Sequence, residues 1–90
     1  MITDQFLDQI TTVIGRAGLT TESVAALRDA FPDMHFTQCL DDDIGAGVTP
    51  VREADGFNVY LITKAEHCIT FTPSQERATG LVLAEVTEDD

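Results

Sequence analysis

The chain has 90 residues, of which 43% are hydrophobic and 23% charged, the composition of one small globular domain rather than of a disordered or fibrous chain. Sixteen Asp and Glu oppose five Lys and Arg, so the net charge is −11 at pH 7. This balance argues against a protein that binds nucleic acid, because phosphate backbones require clustered Lys and Arg, and against one that binds an anionic membrane surface.

The first predicted element is an amphipathic helix over residues 4–17. Thr3 or Asp4 is suited to cap its start, and Gly18 is suited to end it. Its apolar residues recur at the spacing of one helix face: Phe6, Leu7, Ile10, Val13, Ile14 and Ala17.

A second helix is predicted over residues 21–31. Thr20 or Thr21 can cap it, and Pro32 ends it because the residue before a proline resists helical dihedral angles. Both helices are too short to be stable alone, so we expect them to pack on another part of the chain.

The rest of the chain has the period-two pattern of β-strands. We expect strands at residues 34–40, 57–63, 68–72 and 81–86, with a possible short edge strand at 48–52. A hairpin turn is expected at residues 64–67. The sequence therefore predicts a single α+β domain over residues 1–90, in which an N-terminal helical pair packs on one face of a mainly antiparallel, four- to five-stranded sheet.

The N-terminal segment does not have the pattern of an export signal. Asp4 and Asp8 interrupt it, and no basic segment precedes an apolar one. We therefore expect a cytoplasmic protein, with no membrane-spanning segment and with Cys39 and Cys68 as free thiols.

The densest charge lies at Asp41, Asp42 and Asp43, directly after the first predicted strand. Such a triplet is suited to attract a basic protein partner, or to hold a hard cation, although a complete set of calcium ligands is not present. The simplest interpretation is a solvated turn at the end of a strand.

Four residues could bind a soft metal: His35, Cys39, His67 and Cys68. His35 and Cys39 share one face of a strand but are about 13 Å apart when extended, too far for two ligands of one ion. The alternative is that both cysteines are buried small hydrophobic residues and both histidines lie in a hairpin or at the surface.

An enzyme is not predicted. The acidic surroundings raise the pKa of a thiol and so oppose a nucleophilic cysteine, and no phosphate-binding loop or nucleophile motif is present. We predict no catalytic residue and no cofactor.

The open face of the sheet is the expected docking surface. Residues 55–60 combine a glycine with aromatic side chains, and Tyr60 is the only tyrosine. Together with the acidic triplet, Phe57 and Tyr60 are the predicted contacts with a partner, although Tyr60 could also be a half-buried residue within the sheet.

Several segments resemble one known family. They are Ala25–Pro32, His35–Cys39, Asp41–Asp43, Gly56–Leu61, Glu66–Cys68 and Thr79–Glu85. Over residues 20–86 the chain is similar to a small proteobacterial family that occurs with nitrogen-fixation genes, the nitrogenase-associated factor T-like proteins. The resemblance implies a non-catalytic accessory protein that binds the molybdenum–iron component of nitrogenase or one of its assembly factors.

The predicted function is therefore that of an acidic accessory protein, monomeric or homodimeric, which binds another protein and neither nucleic acid nor membranes. The alternative is a small metal-binding or redox protein that uses the cysteines and histidines.

Overall fold

A computed structural model describes residues 2–44, 47–54, 56–65 and 68–86. Two helices precede all the strands, as the sequence predicts. The elements are α1 (Asp4–Ala17), α2 (Thr21–Ala30), β1 (His35–Leu40), a 3-10 turn (Asp41–Asp43), β2 (Arg52–Ala54), β3 (Phe57–Ala65), β4 (Cys68–Phe71) and β5 (Gly80–Glu85).

Each helix begins with a threonine that accepts a hydrogen bond from the first turn. The hydroxyl of Thr3 accepts from the backbone N–H of Phe6 at 3.1 Å. At α2, Thr20 and Ser23 form a reciprocal capping box. Of the two capping residues that the sequence offers for each helix, the structure uses Thr3 and Thr20. The hairpin turn predicted at residues 64–67 is wrong for residues 64 and 65, which belong to β3, and residues 66–67 lie outside the described residues.

The five strands form one mixed sheet in the order β1-β5-β3-β2, and β4 also pairs with β3. Ile62 pairs with Phe71 of β4 on one side and with Gly80 of β5 on the other. β2 and β4 therefore pair with the same edge of β3, one after the other along the strand, and β5 pairs with the opposite edge. The pairings of β3 with β2, β4 and β5 are antiparallel, as expected, whereas β1 and β5 are parallel. Strands joined by short turns pair in the antiparallel direction. β1 and β5 are far apart in the chain, so this expectation does not apply to them.

The short strand β2 begins later than the sequence predicts. Residues 48–51 precede it and lie in a loop, and the ladder with β3 starts at Arg52. A physical reason is Pro50, which has no N–H to donate to a ladder. At the other end, β3 continues to Ala65 because its last residues pair with β4.

The main core lies between the helices and one sheet face. It is built from apolar side chains of both layers: Ile2, Leu7, Ile10, Ile14, Val24, Leu27, Phe36, Phe57, Val59, Leu61, Ala78, Leu81 and Leu83. The predicted packing of the helical pair on one face of the sheet is confirmed.

The second sheet face is also covered. Tyr60, Ile62, Val82 and Ala84 are buried there in a smaller core. Ile44 and Val48 pack on it from the segment that follows β1, which we name the covering loop (residues 41–44 and 47–51). The expectation that this face is open for docking is therefore wrong over the centre of the sheet, because the covering loop lies over that centre.

A close approach of two strands requires a glycine at the start of β5. A Cβ atom built on Gly80 would lie 2.5 Å from both the Cβ and the carbonyl oxygen of His35, its partner in β1. Gly15, near the end of α1, is the opposite case, since nothing lies within 4 Å of a Cβ built there.

Gly80→Ala is expected to lower the free energy of unfolding by about 1–3 kcal/mol, because β1 and β5 must separate to admit the methyl group. Gly15→Ala adds the same atom at a site with room for it and should stabilise the protein by up to about 1 kcal/mol, since alanine favours helix. Urea unfolding followed by circular dichroism measures both. Equal effects of the two substitutions would contradict the close approach of β1 and β5.

Candidate functional site

The acidic triplet begins the covering loop and does not form a uniform charged patch. Its 3-10 turn is closed by the N–H of Ile44, which donates to the carbonyl of Asp41 at 3.0 Å. The carboxylate oxygen Oδ1 of Asp41 accepts a hydrogen bond from the Tyr60 hydroxyl at 2.8 Å and another from the Asn58 amide at 3.1 Å. Both donors lie on β3, so the carboxylate connects the start of the loop to the sheet.

We name these three side chains the Asp41 cluster (Asp41, Asn58 and Tyr60). Asp41 is half-buried in it, whereas Asp42 and Asp43 are exposed. The triplet therefore has two roles. One carboxylate holds the loop against the second sheet face, and the other two are presented to solvent on a turn with a fixed backbone.

The predicted aromatic contacts are not at the surface. Phe57 is 2% exposed and belongs to the main core, and Tyr60 is 4% exposed and belongs to the second core. The expectation that both contact a partner at an exposed surface is wrong. Alternation along β3 directs the two side chains to opposite faces of the sheet, and both faces are covered. Phe71, in contrast, is 39% exposed, and its ring lies edge-on to that of Tyr60 with 5.8 Å between the ring centroids.

The acidic turn acts on the nearest thiol. Cys39 is partly buried at the end of β1 and packs against the second core. Burial raises the pKa of this thiol, and the charges of Asp43 and Asp41 raise it further. Burial and the hydrogen bond to Asp41 likewise raise the pKa of Tyr60. At neutral pH both groups keep their protons, and Tyr60 remains a hydrogen-bond donor.

Of the four predicted metal ligands, the structure describes the side chains of His35 and Cys39 only, and it does not bring these two together. His35 and Cys39 stand at opposite ends of the part of β1 that pairs with Gly80–Ala84. His67 lies outside the described residues, as does the side chain of Cys68. Within residues 2–44, 47–54, 56–65 and 68–86, no group of three or more His, Cys, Asp or Glu could hold a metal ion.

Two of the five bases are engaged by the fold. Arg52 on β2 makes ion pairs with Asp4 at 3.2 Å and Asp8 at 3.5 Å, so it connects α1 to the sheet. Arg28 on α2 donates through Nε and Nη2 to the carbonyl of Phe36, at 3.2 and 2.9 Å. These bases hold helices against strands, so they do little to neutralise Asp42 and Asp43.

Two open clefts border the sheet. One, of about 330 Å³, is lined by residues 47–49 of the covering loop, by Leu61 and by residues 71–73. The other, of about 400 Å³, lies beside β1 and is lined by Arg28, Pro32 and residues 34–37. Neither cleft brings together the residues of the acidic turn and a cysteine or histidine pair.

The helices on one face of a mixed five-stranded sheet define the protein as an α+β domain. Residues 9–86 match the model of a family described as a family of unknown function, DUF6129. Because this match covers most of the chain, the protein belongs to that family. No curated protein and no solved structure matches it. In the described part of the chain, neither helix has the length and apolar character needed to cross a membrane.

Asp41→Ala is expected to cost about 1–3 kcal/mol of stability, since it leaves the Tyr60 hydroxyl and the Asn58 amide without their acceptor. Asp42→Ala removes an equal charge from the exposed part of the same turn and should change stability by no more than about 0.5 kcal/mol. Urea unfolding compares the two. A loss for Asp42→Ala as large as for Asp41→Ala would show that charge, rather than the Asp41 cluster, governs stability here.

Alkylation of Cys39 by iodoacetamide should require a higher pH than alkylation of a cysteine in a short peptide, because a raised pKa lowers the thiolate fraction at any given pH. Measured in a Cys68→Ser background, the pH midpoint should move part of the way back in Asp43→Asn, since burial, the larger cause, remains. A midpoint at or below that of the peptide would contradict the surroundings described for Cys39.

Proposed function

We propose that the protein is a non-catalytic acidic accessory protein that binds another protein through the region around Asp42 and Asp43. The observation that carries the proposal is the fixed presentation of these carboxylates. Asp41 holds the turn on the sheet, so the neighbouring charges are presented without a further loss of backbone freedom on binding.

The uncompensated charge supports the same proposal. The chain has a net charge of −11, and Arg28 and Arg52 are engaged within the fold. A surface of one sign attracts a partner of the opposite sign, raises the association rate and orients the encounter. The partner in this proposal therefore presents a basic surface.

The similarity to nitrogen-fixation-associated proteins indicates which partner to test first. It is the molybdenum–iron component of nitrogenase, followed by its assembly factors. A cytoplasmic location is part of the same proposal, since such partners are cytoplasmic. The alternative, a metal-binding or redox protein, is less well supported, because the raised pKa of the Cys39 thiol opposes both thiolate ligation and thiol exchange.

The proposal is tested by measuring the binding of the purified molybdenum–iron component as a function of salt. Affinity should fall between low salt and about 0.5 M salt, where the Debye length is only about 4 Å. The fall should be mainly in the association rate. A measurable affinity that is unchanged over this range would remove the electrostatic basis of the proposal, and no binding at low salt would exclude this partner.

A pair of matched variants locates the charges that matter. Asp42→Asn with Asp43→Asn should weaken binding about 3- to 10-fold, the effect of one or two exposed charge pairs. Glu53→Gln with Glu76→Gln removes the same charge from exposed residues outside β1 and its turn, and should weaken binding less than about twofold. Equal losses would assign the attraction to overall charge rather than to the acidic turn.

Metal analysis of the purified protein tests the alternative function. A stoichiometric metal that is lost in Cys39→Ser or Cys68→Ser would favour a metal-binding protein over the proposed one.

A further inference from the structure

Among the strands that the structure describes, β1 lies at the end of the sheet, and no other strand pairs with its outer edge. On one side, β1 pairs with β5 along its whole length, and the N–H of His35 donates to the carbonyl of Thr79. On the other side, the carbonyl of Phe36 accepts from Arg28. Because backbone groups alternate in direction along a strand, those of Gln38 and Leu40 also point away from β5.

This edge has few of the features that prevent pairing with another chain. Proteins protect exposed edges with charged residues, proline or very short strands. The six residues of β1 are His-Phe-Thr-Gln-Cys-Leu, without proline, Lys or Arg, and Arg28 occupies only the carbonyl of Phe36. The opposite edge differs, since it is divided between two shorter strands: β2, which has three residues including Arg52 and Glu53, and β4, which has four.

An open cleft lies beside this edge. The cleft of about 400 Å³ is lined by Arg28, Pro32 and residues 34–37. Since Arg28 reaches the outward carbonyl of Phe36, the cleft lies along the outer edge of β1. Beyond it, Gln38 and Leu40 are exposed, and Leu40 is 44% exposed although it is a large apolar residue.

Negative charge stands at both ends of the same edge. Asp33 is exposed just before β1, and Asp42 and Asp43 are exposed directly after it. The occupant that fits is therefore cationic. A second copy of this chain would instead bring two molecules of net charge −11 together, which their mutual repulsion opposes.

We propose that the outer edge of β1 binds an extended basic segment of another protein as an added strand. The backbone of Gln38 and Leu40 supplies hydrogen bonds, Leu40 supplies apolar contact, and Asp42 and Asp43 pair with Lys or Arg of the segment. The inference rests on the proposed function and specifies how that binding occurs.

The first test uses a peptide of alternating lysine and valine, blocked at both ends, added to the isotope-labelled protein. Amide exchange measured by NMR should show that the N–H groups of Gln38 and Leu40 exchange rapidly in the free protein and at least about tenfold more slowly with saturating peptide. The amides of Thr37 and Cys39, which face β5, should change little. A peptide with glutamate in place of lysine is the control and should not protect any of them.

The second test removes a single backbone donor. Gln38→Pro deletes the outward N–H, whereas the matched variant Gln38→Ala keeps it and loses only the side chain. Gln38→Pro should weaken the lysine peptide at least about fivefold, the loss of one net hydrogen bond, and Gln38→Ala less than about twofold. If Gln38→Pro does not fold, the exchange pattern of the unmodified protein decides the question.

The outcomes separate this inference from the proposed function. If the molybdenum–iron component binds but the Gln38 and Leu40 amides stay unprotected, binding occurs elsewhere and the strand-addition inference is wrong. If the peptide protects these amides and the component does not bind, the edge is a binding site and the choice of partner is wrong. Failure of the lysine peptide to protect them overturns the inference, as does light scattering that shows a dimer with both amides protected before any peptide is added.

Discussion

The hydrogen bonds that Asp41 accepts from Tyr60 and Asn58 hold the covering loop on the second face of the sheet, and the arrangement of the acidic turn depends on them. Hydrogen bonds to a charged acceptor contribute about 1.5–3 kcal/mol, more than those between neutral groups. These two join the end of β1 to the middle of β3 across the second face of the sheet. With this connection made, the chain that follows lies over that face, where Ile44 and Val48 complete a small core.

This arrangement also explains why one acidic triplet contains side chains in such different environments. The carboxylate of Asp41 gives up part of its hydration and gains two donors in exchange, which is the condition for placing a charge in a half-buried position. Asp42 and Asp43 have no such compensation in the described structure and remain in water. Burial, followed by the charges of Asp43 and Asp41, raises the pKa of the neighbouring Cys39 thiol and so disfavours its ionisation.

Local features of this fold could be predicted from the sequence, and its long-range features could not. The bounds of α1 follow from Thr3, Gly18 and a regular apolar stripe, all within one segment. The parallel pairing of β1 with β5 and the contact of Asp41 with Tyr60 join segments far apart in the chain, and no pattern of spacing encodes them. The prediction that Phe57 and Tyr60 contact the same partner, however, is inconsistent with the sequence pattern itself. Period-two alternation alone places Phe57 and Tyr60 on opposite faces of β3, so they could not form one docking surface.

The positions of Arg28 and Arg52 differ between the two edges of the sheet. Arg52 lies on β2 and pairs with Asp4 and Asp8 of α1, so that edge carries a cation and is tied to the helical layer. Arg28 performs the corresponding connection at β1 from the helix side, and it satisfies one carbonyl while leaving the strand itself uncharged. Both of these cations are used where a helix meets an edge strand, and neither forms an ion pair with Asp42 or Asp43. The acidic turn after β1 therefore adjoins an edge strand of six residues without proline, Lys or Arg, where an incoming strand meets little obstruction and finds negative charge beside it.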